Sequence, residues 1–152
     1  MKGLDLFWEN FKKFVEINPC AVRFGKTFDD YHQKTYLIGY DLQFDLCVSY
    51  TSEGKNKWKT RVELYGSRSK KQIERCVYFE SQLANMRKAL PDYEVDFRII
   101  SKDADGASWK LYVGTNDLVH RDCEDVEIYK YYVKALNRMA EAWKPFFEPY
   151  KK

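Results

Sequence analysis

The sequence predicts an α+β domain of two layers, in which a mainly antiparallel five-stranded sheet is packed by three helices. Three observations support this class. Segments near both ends of the chain repeat apolar residues at helical spacing, residues 42–50 alternate strictly between apolar and polar side chains, and the predicted strands have short connections. Short connections join antiparallel neighbours, because parallel strands need a long crossover. The predicted order of elements is therefore αβββαββα.

The length and composition predict a single α+β domain over residues 1–152. Hydrophobic residues make up 45% of the chain and charged residues 32%, enough for both a core and a solvated exterior. No apolar run reaches the ~20 residues of a spanning helix. The N-terminus leads directly into an amphipathic pattern, so we expect no membrane partner and a cytoplasmic location. The four cysteines form no Cys-x-x-Cys pair, and we expect reduced thiols.

The first half of the chain is predicted to contain one helix and three strands. The helix covers residues 4–17, where apolar side chains recur at intervals of three and four, and Asn18-Pro19 ends it. Residues 19–33 show no clear periodicity and are predicted to be an irregular connection. Period-two patterns then indicate three strands, at about residues 36–40, 42–50 and 57–65.

The second half is predicted to contain two helices separated by two strands. Gly66-Ser67-Arg68 is predicted to turn, and Ser69-Lys70-Lys71-Gln72 has the pattern of a capping box at the start of the second helix. That helix should end before Pro91. Alternating residues indicate strands at 93–102 and 108–113, joined by a turn at 103–106. The last helix is predicted at about residues 124–144, closed by Pro145.

The charge distribution is most uneven in residues 55–75, which hold eight basic residues and two acidic ones. This local excess of six is larger than the net charge of the whole chain, +3. On the predicted third strand, alternate side chains share one face at intervals of about 7 Å, which approaches the spacing of successive phosphates. A helix start next to them would add amides that favour an anion. We therefore predict these phosphate-binding residues: Lys57, Lys59, Arg61, Arg68, Lys70 and Lys71.

Other interpretations of the same charges remain open. Lysines on this strand could simply solvate a sheet face or protect an edge strand from aggregation. Residues 55–75 could instead complement the acidic residues 117–127 of a protein partner or of a second copy, as in a homodimerisation module. A third, less favoured function is a metal-dependent nuclease. It would need Asp92 beside further carboxylates, but residues 108–110 offer Ser-Trp-Lys where an acid-x-Lys pair is needed.

Other catalytic and cofactor motifs are incomplete. Gly25-Lys26-Thr27 resembles the end of a phosphate-binding loop, but Cys20 occupies the position of its first glycine. His120 and Cys123 could donate to a metal, yet no second ligand pair has matching spacing. The sequence therefore predicts no catalytic residue, no metal ligand and no cofactor. It leaves enzymatic activity undecided and favours a non-catalytic binding module.

Several short motifs, in their order and spacing, resemble one family. They are Phe7-Trp8-Glu9-Asn10-Phe11, Arg61-Val62-Glu63-Leu64-Tyr65, Arg121-Asp122 and Phe147-Glu148-Pro149. Together they resemble an uncharacterised domain family that often lies C-terminal to restriction-endonuclease-like nuclease domains, and the resemblance covers about residues 6–150. It implies an accessory module in restriction or mobile-element biology. The expected partners are DNA or RNA, another protein, or a second copy of the chain.

Overall fold

The computed structural model describes residues 2–29, 32–48, 60–114 and 124–152, and within them the chain forms four helices and six strands. The helices are α1 (Lys2–Ile17), α2 (Lys71–Ala89), α3 (Asp125–Ala142) and α4 (Lys144–Phe147). The strands are β1 (Val22–Asp29), β2 (His32–Leu37), β3 (Gln43–Cys47), β4 (Arg61–Ser69), β5 (Glu94–Asp103) and β6 (Gly106–Gly114). Strands β1 to β4 lie between α1 and α2, and β5 and β6 lie between α2 and α3. A 3₁₀ turn at Glu148–Tyr150 follows α4.

The predicted α+β class and the antiparallel sheet are confirmed, whereas the predicted numbers of strands and helices are each one too low. The additional helix is the short α4, and the additional strand is β1, which lies where an irregular connection was predicted. β1 pairs with β2, but its register shifts between Phe24 and Thr27 and again between Thr27 and Asp29. These shifts break the period-two pattern by which a strand is recognised in sequence.

The sheet has the strand order β1-β2-β3-β4-β6-β5, and every neighbouring pair is antiparallel. β4 lies between β3 and β6, so the part of the basic strand that the structure describes, from Arg61 onward, is not an edge strand. The predicted turn at residues 66–68 is also wrong, because β4 continues to Ser69. Gly66 pairs with Trp109 inside the sheet. A Cβ atom there would overlap the Trp109 indole, which explains why a glycine stands in mid-strand.

The predicted capping box at the start of α2 is wrong as well. The residue before the helix is Lys70, and it makes no side-chain capping hydrogen bond. Ser69 belongs to β4, where it pairs with Ala107. Gln72 is buried and accepts a hydrogen bond of 3.0 Å from Nε1 of Trp109. Gln72, which the capping-box pattern placed at the start of the helix, therefore joins α2 to the sheet.

Ring contacts between the helices and the sheet all involve one sheet face. These pairs are Phe79 with Trp109, Phe147 with Phe44, and Phe11 with Phe24. The same face carries the fully buried Val62 and Leu64 of the central strand, so the hydrophobic core lies between the sheet and the helices. These ring contacts place the helices against that face. The opposite face of the sheet is mainly polar.

Two chemical expectations can be compared with the described residues. None of the helices there combines the length and the apolar content needed to cross a membrane. The cysteines of this part of the chain, Cys20, Cys47 and Cys76, are all free thiols. Burial raises the pKa of the Cys47 thiol well above its ordinary value, which suits a packing role more than a reactive one.

Candidate functional site

The six residues predicted to bind phosphate fall into separate groups. Lys57 and Lys59 lie outside the described residues. Arg61 is the first residue of β4, whereas Arg68 lies near its other end, roughly 20 Å further along the strand. Lys70 and Lys71 adjoin the start of α2. The strand and the helix start therefore do not place Arg61 beside Arg68, Lys70 and Lys71.

The basic residues near the start of α2 are mostly paired with acids of the same chain. Arg68 donates two hydrogen bonds to Asp103, of 2.7 and 2.8 Å. Asp41 accepts a hydrogen bond of 2.5 Å from Arg75 and lies 3.4 Å from Nζ of Lys71. The hydrogen bond from Arg75 lowers the pKa of Asp41, and that from Arg68 lowers the pKa of Asp103. A phosphate binding here would compete with carboxylates that are already in place.

A row of directly paired residues crosses all six strands on the sheet face opposite the core. We call it the cationic row, and its members are Arg23, Tyr36, Gln43, Tyr65, Lys110 and Arg98. It contains three cations, two tyrosines and no acid. Because neighbouring strands lie about 4.8 Å apart, the five intervals give the row a length of about 24 Å.

Cations of this face lie over tyrosine rings. The guanidinium carbon of Arg23 is 4.7 Å from the ring centre of Tyr36, and Nζ of Lys110 is 5.7 Å from that of Tyr65. Such contacts hold a cation against the electron-rich face of the ring. Arg23 is exposed, and the two tyrosines are half-buried, so the rings are held by the sheet yet reach the surface. The row thus presents positioned charges and flat rings side by side.

A second row of paired residues runs beside the first and is mainly acidic. This acidic row consists of Lys34, Asp45, Glu63, Tyr112 and Asp96. Asp45 and Glu63 at its centre are only 5% and 0% exposed. A ligand at the surface therefore has almost no direct access to these two carboxyl groups.

Glu63 holds two of those cations. Nε of Arg61 donates a hydrogen bond of 2.5 Å to Oε1, and Nζ of Lys110 lies 3.4 Å from Oε2. Burial alone would lower the pKa of Arg61, but Cys47 and Glu63 raise it, so Arg61 stays cationic. The guanidinium of Arg61 also lies 4.8 Å from the ring centre of Tyr112. Glu63 therefore fixes the positions of positive groups on this face.

Asp45 lies opposite Glu63 and is held in a less polar environment. Burial raises its pKa, a hydrogen bond of 2.8 Å from Nε2 of Gln43 opposes that change, and the charge of Glu63 raises the pKa further. Two adjacent carboxyls could suggest a metal centre. Within the described part of the chain, however, no cluster of three or more His, Cys, Asp or Glu residues could hold a metal ion.

The residues named for the nuclease alternative are held on different sides of the sheet. Asp92 accepts hydrogen bonds of 3.3 Å from Nε and NH2 of Arg138, which belongs to α3 in the helix layer. Lys110 lies on the opposite face, beside Glu63. Most of the acidic segment 117–127 that the dimer alternative invokes lies outside the described residues. Its described members, Glu124, Asp125 and Glu127, lie at the start of α3.

Sequence reasoning identified only part of the polar face. It placed Arg61 and Tyr65 together on one side of their strand, as the structure has them. It gave no part in phosphate binding to five members of the cationic row: Arg23, Tyr36, Gln43, Lys110 and Arg98. These residues were missed for two reasons. β1 was not recognised as a strand, and the order of the strands in the sheet cannot be read from a single sequence. The available signal was in β6, where Lys110 and Tyr112 alternate with the buried residues Trp109, Leu111 and Val113.

Comparisons with known proteins found no matching family model, curated protein or solved structure for this chain. The resemblance to the nuclease-associated family therefore stays a prediction. A functional proposal for the chain depends on its own chemistry. The cationic row brings three cations and two tyrosines together on one surface of the described residues.

Proposed function

We propose that this domain is a non-catalytic accessory module that binds nucleic acid through its cationic row. The observation that carries the proposal is the row itself: Arg23, Lys110 and Arg98 lie on one line across the sheet with two tyrosines and no acid. Arginine and lysine provide most of the affinity for the phosphate backbone. A row of about 24 Å is long enough to contact the backbone of several nucleotides.

The burial of the acidic residues on this face supports the proposal that the face binds an anionic ligand. Asp45 and Glu63 are the acids nearest the centre of the face, and both lie beneath its surface. Arg61 and Lys110 share the single charge of Glu63, so these three side chains together carry a net positive charge. A role in restriction or mobile-element systems is proposed from the sequence resemblance alone.

Fluorescence anisotropy with labelled DNA and RNA at low and physiological salt tests this function. The informative variant replaces Arg23, Arg98 and Lys110 with glutamine. Its control replaces Arg68, Lys70 and Lys71 with glutamine, so both variants lose three positive charges. We expect the wild-type affinity to fall with salt, and the row variant to lose affinity and up to about three phosphate contacts from the salt slope.

The control variant should keep most of the affinity, because Arg68 and Lys71 already contact carboxylates. Circular dichroism and thermal unfolding establish that both variants are folded. Two results would overturn the proposal. One is an absence of wild-type binding to every nucleic acid at low salt. The other is a loss of affinity in the control variant as large as that in the row variant, which would reassign binding to overall charge.

A further inference from the structure

We infer, on the basis of the proposed function, that the ligand of the cationic row is a single-stranded nucleic acid whose bases stack on Tyr36 and Tyr65. Both tyrosines lie in the row, and Gln43 of β3 separates them. Two strand intervals place them about 10 Å apart. A strand crossing the sheet along the row would meet both rings, with cations at each end.

The width of the sheet argues against a duplex. All six strands contribute to the row, which is about 24 Å long, whereas the major groove of B-DNA is about 12 Å wide and admits a helix or a two-stranded ribbon. A broad sheet face cannot enter such a groove. In a duplex the faces of the bases are also covered by their neighbours. Half-buried tyrosines on this surface could then reach only the backbone of a duplex.

A single-stranded nucleic acid exposes base faces that these tyrosines can bind. Its bases can turn away from one another, and each has a flat face that stacks on an aromatic ring regardless of sequence. Tyr36 and Tyr65 are only half-buried, so part of each side chain is exposed at the surface. Lys110 and Arg23 lie over these rings, 5.7 and 4.7 Å from the ring centres. A base would therefore stack on the other ring face or displace the cation, which stays close enough for the phosphate of the stacked nucleotide. Base stacking and phosphate contact would therefore occur together.

The test compares a fluorescent oligonucleotide with a hairpin duplex of the same sequence, as both DNA and RNA. We expect the single strand to bind at least about tenfold more tightly. Tyr65→Ala and Tyr36→Ala should each weaken its binding about 5- to 100-fold, the range found for the loss of one stacked base. The salt slope should stay unchanged, because no phosphate contact is removed. Tyr65→Phe keeps the ring and should bind like the wild type.

A second readout separates stacking from a general loss of structure. An oligonucleotide that contains the fluorescent base 2-aminopurine should be quenched by the wild type and by Tyr65→Phe but much less by Tyr65→Leu, which keeps apolar bulk without a ring. Equal affinity for duplex and single strand, or unchanged binding by both alanine variants, would overturn this inference and leave the proposed function standing. Absence of binding to either form at low salt would overturn both.

Discussion

Asp45 and Glu63 lie directly opposite one another on β3 and β4, and both carboxyl groups are almost completely buried. Side chains in such positions have Cβ atoms about 5 Å apart, and like charges there destabilise a sheet. The structure separates the roles of the two acids. Glu63 is balanced by Arg61 and Lys110, whereas Asp45 accepts a hydrogen bond from the neutral amide of Gln43. Replacing Asp45 and replacing Glu63 are therefore expected to change the stability of the protein in different ways.

Asp45→Asn is expected to stabilise the protein at neutral pH. Burial raises the pKa of Asp45 in the folded protein, with the charge of Glu63 as a further cause. Such a group binds its proton more tightly when folded. The wild type therefore loses stability as the pH rises from about 4, the ordinary pKa of aspartate, through the raised value. Asparagine cannot ionise and can still accept the hydrogen bond from Gln43. Urea unfolding across this pH range measures the difference.

Asp41→Asn serves as a control, because its effect on the free energy of unfolding at neutral pH should be opposite to that of Asp45→Asn. The hydrogen bond from Arg75 lowers the pKa of Asp41, so its stabilising contribution is present above the ordinary pKa of aspartate and is lost on acidification. This variant should be less stable than the wild type at neutral pH and approach it in acid. Asp45→Asn should show the reverse trend. If both variants shift with pH in the same direction, the assignment of the Asp45 environment is wrong.

Glu63→Ala is expected to lower the free energy of unfolding by about 3 kcal/mol, because it removes one partner of a buried charge cluster. Arg61 and Lys110 would then face each other without a counter-charge in a partly desolvated setting, since their side chains are only 17% and 22% exposed. Chemical unfolding measures the loss. In a matched experiment, Glu63→Leu with Arg61→Met and Lys110→Met should lose less stability than Glu63→Ala alone. A cost below about 1 kcal/mol for Glu63→Ala would contradict the structural role of Glu63.

Gly66→Ala is expected to destabilise the protein by about 1 to 3 kcal/mol, the usual cost of overpacking. The new methyl group would overlap the Trp109 indole and lie 2.7 Å from Oε1 of Gln72. It would therefore disturb the hydrogen bond that joins α2 to β6. Ser67→Ala alters the next, exposed residue and should have little effect on the unfolding midpoint. Equal stability of the two variants would show that Trp109 can move aside without cost.

The fold was predictable where burial repeats along the chain. Helices α1, α2 and α3 bury a periodic face, and residues 42–50 alternate clearly enough to indicate β3. β1 was missed because its register shifts interrupt the alternation. The turn at Gly66 was predicted because glycine and serine are frequent in turns, whereas here the glycine accommodates Trp109 from a strand distant in sequence. That requirement belongs to tertiary packing and leaves no local signal.

The candidate site was less predictable than the fold, for a related reason. Charge clustering identified the basic segment, but the partners of its charges are far away in sequence. Arg68 pairs with Asp103, 35 residues later, and Lys71 with Asp41, 30 residues earlier. The cationic row depends on β6 lying between β4 and β5, which contradicts chain order. Only the strand order brings Tyr65 beside Lys110, whereas Lys110 lies beside Arg98 across the β5–β6 hairpin.

The outer edge of β5 is expected to need protection by two side chains. β5 lies at the end of the sheet, and side chains bond two of its backbone groups. Nε of Arg87 donates to the carbonyl of Val95 at 2.9 Å, and Asp96 accepts from the amide of Phe97 at 3.0 Å. Unprotected strand edges pair with other chains. Removing both side chains, as Arg87→Ala with Asp96→Ala, should therefore promote self-association.

Light scattering over a range of protein concentrations measures this effect. The double variant removes one positive and one negative charge, so its net charge is unchanged and cannot itself cause association. Lys102→Ala alters another exposed residue of β5 that makes no such backbone bond and should remain like the wild type. Ile100, half of whose surface is exposed on the same strand, supplies an apolar contact for association once the edge is free. Ile100→Lys added to the double variant should reverse the association. If the double variant stays monodisperse at every concentration, the register shift between Ile99 and Ser101 is sufficient to protect the edge.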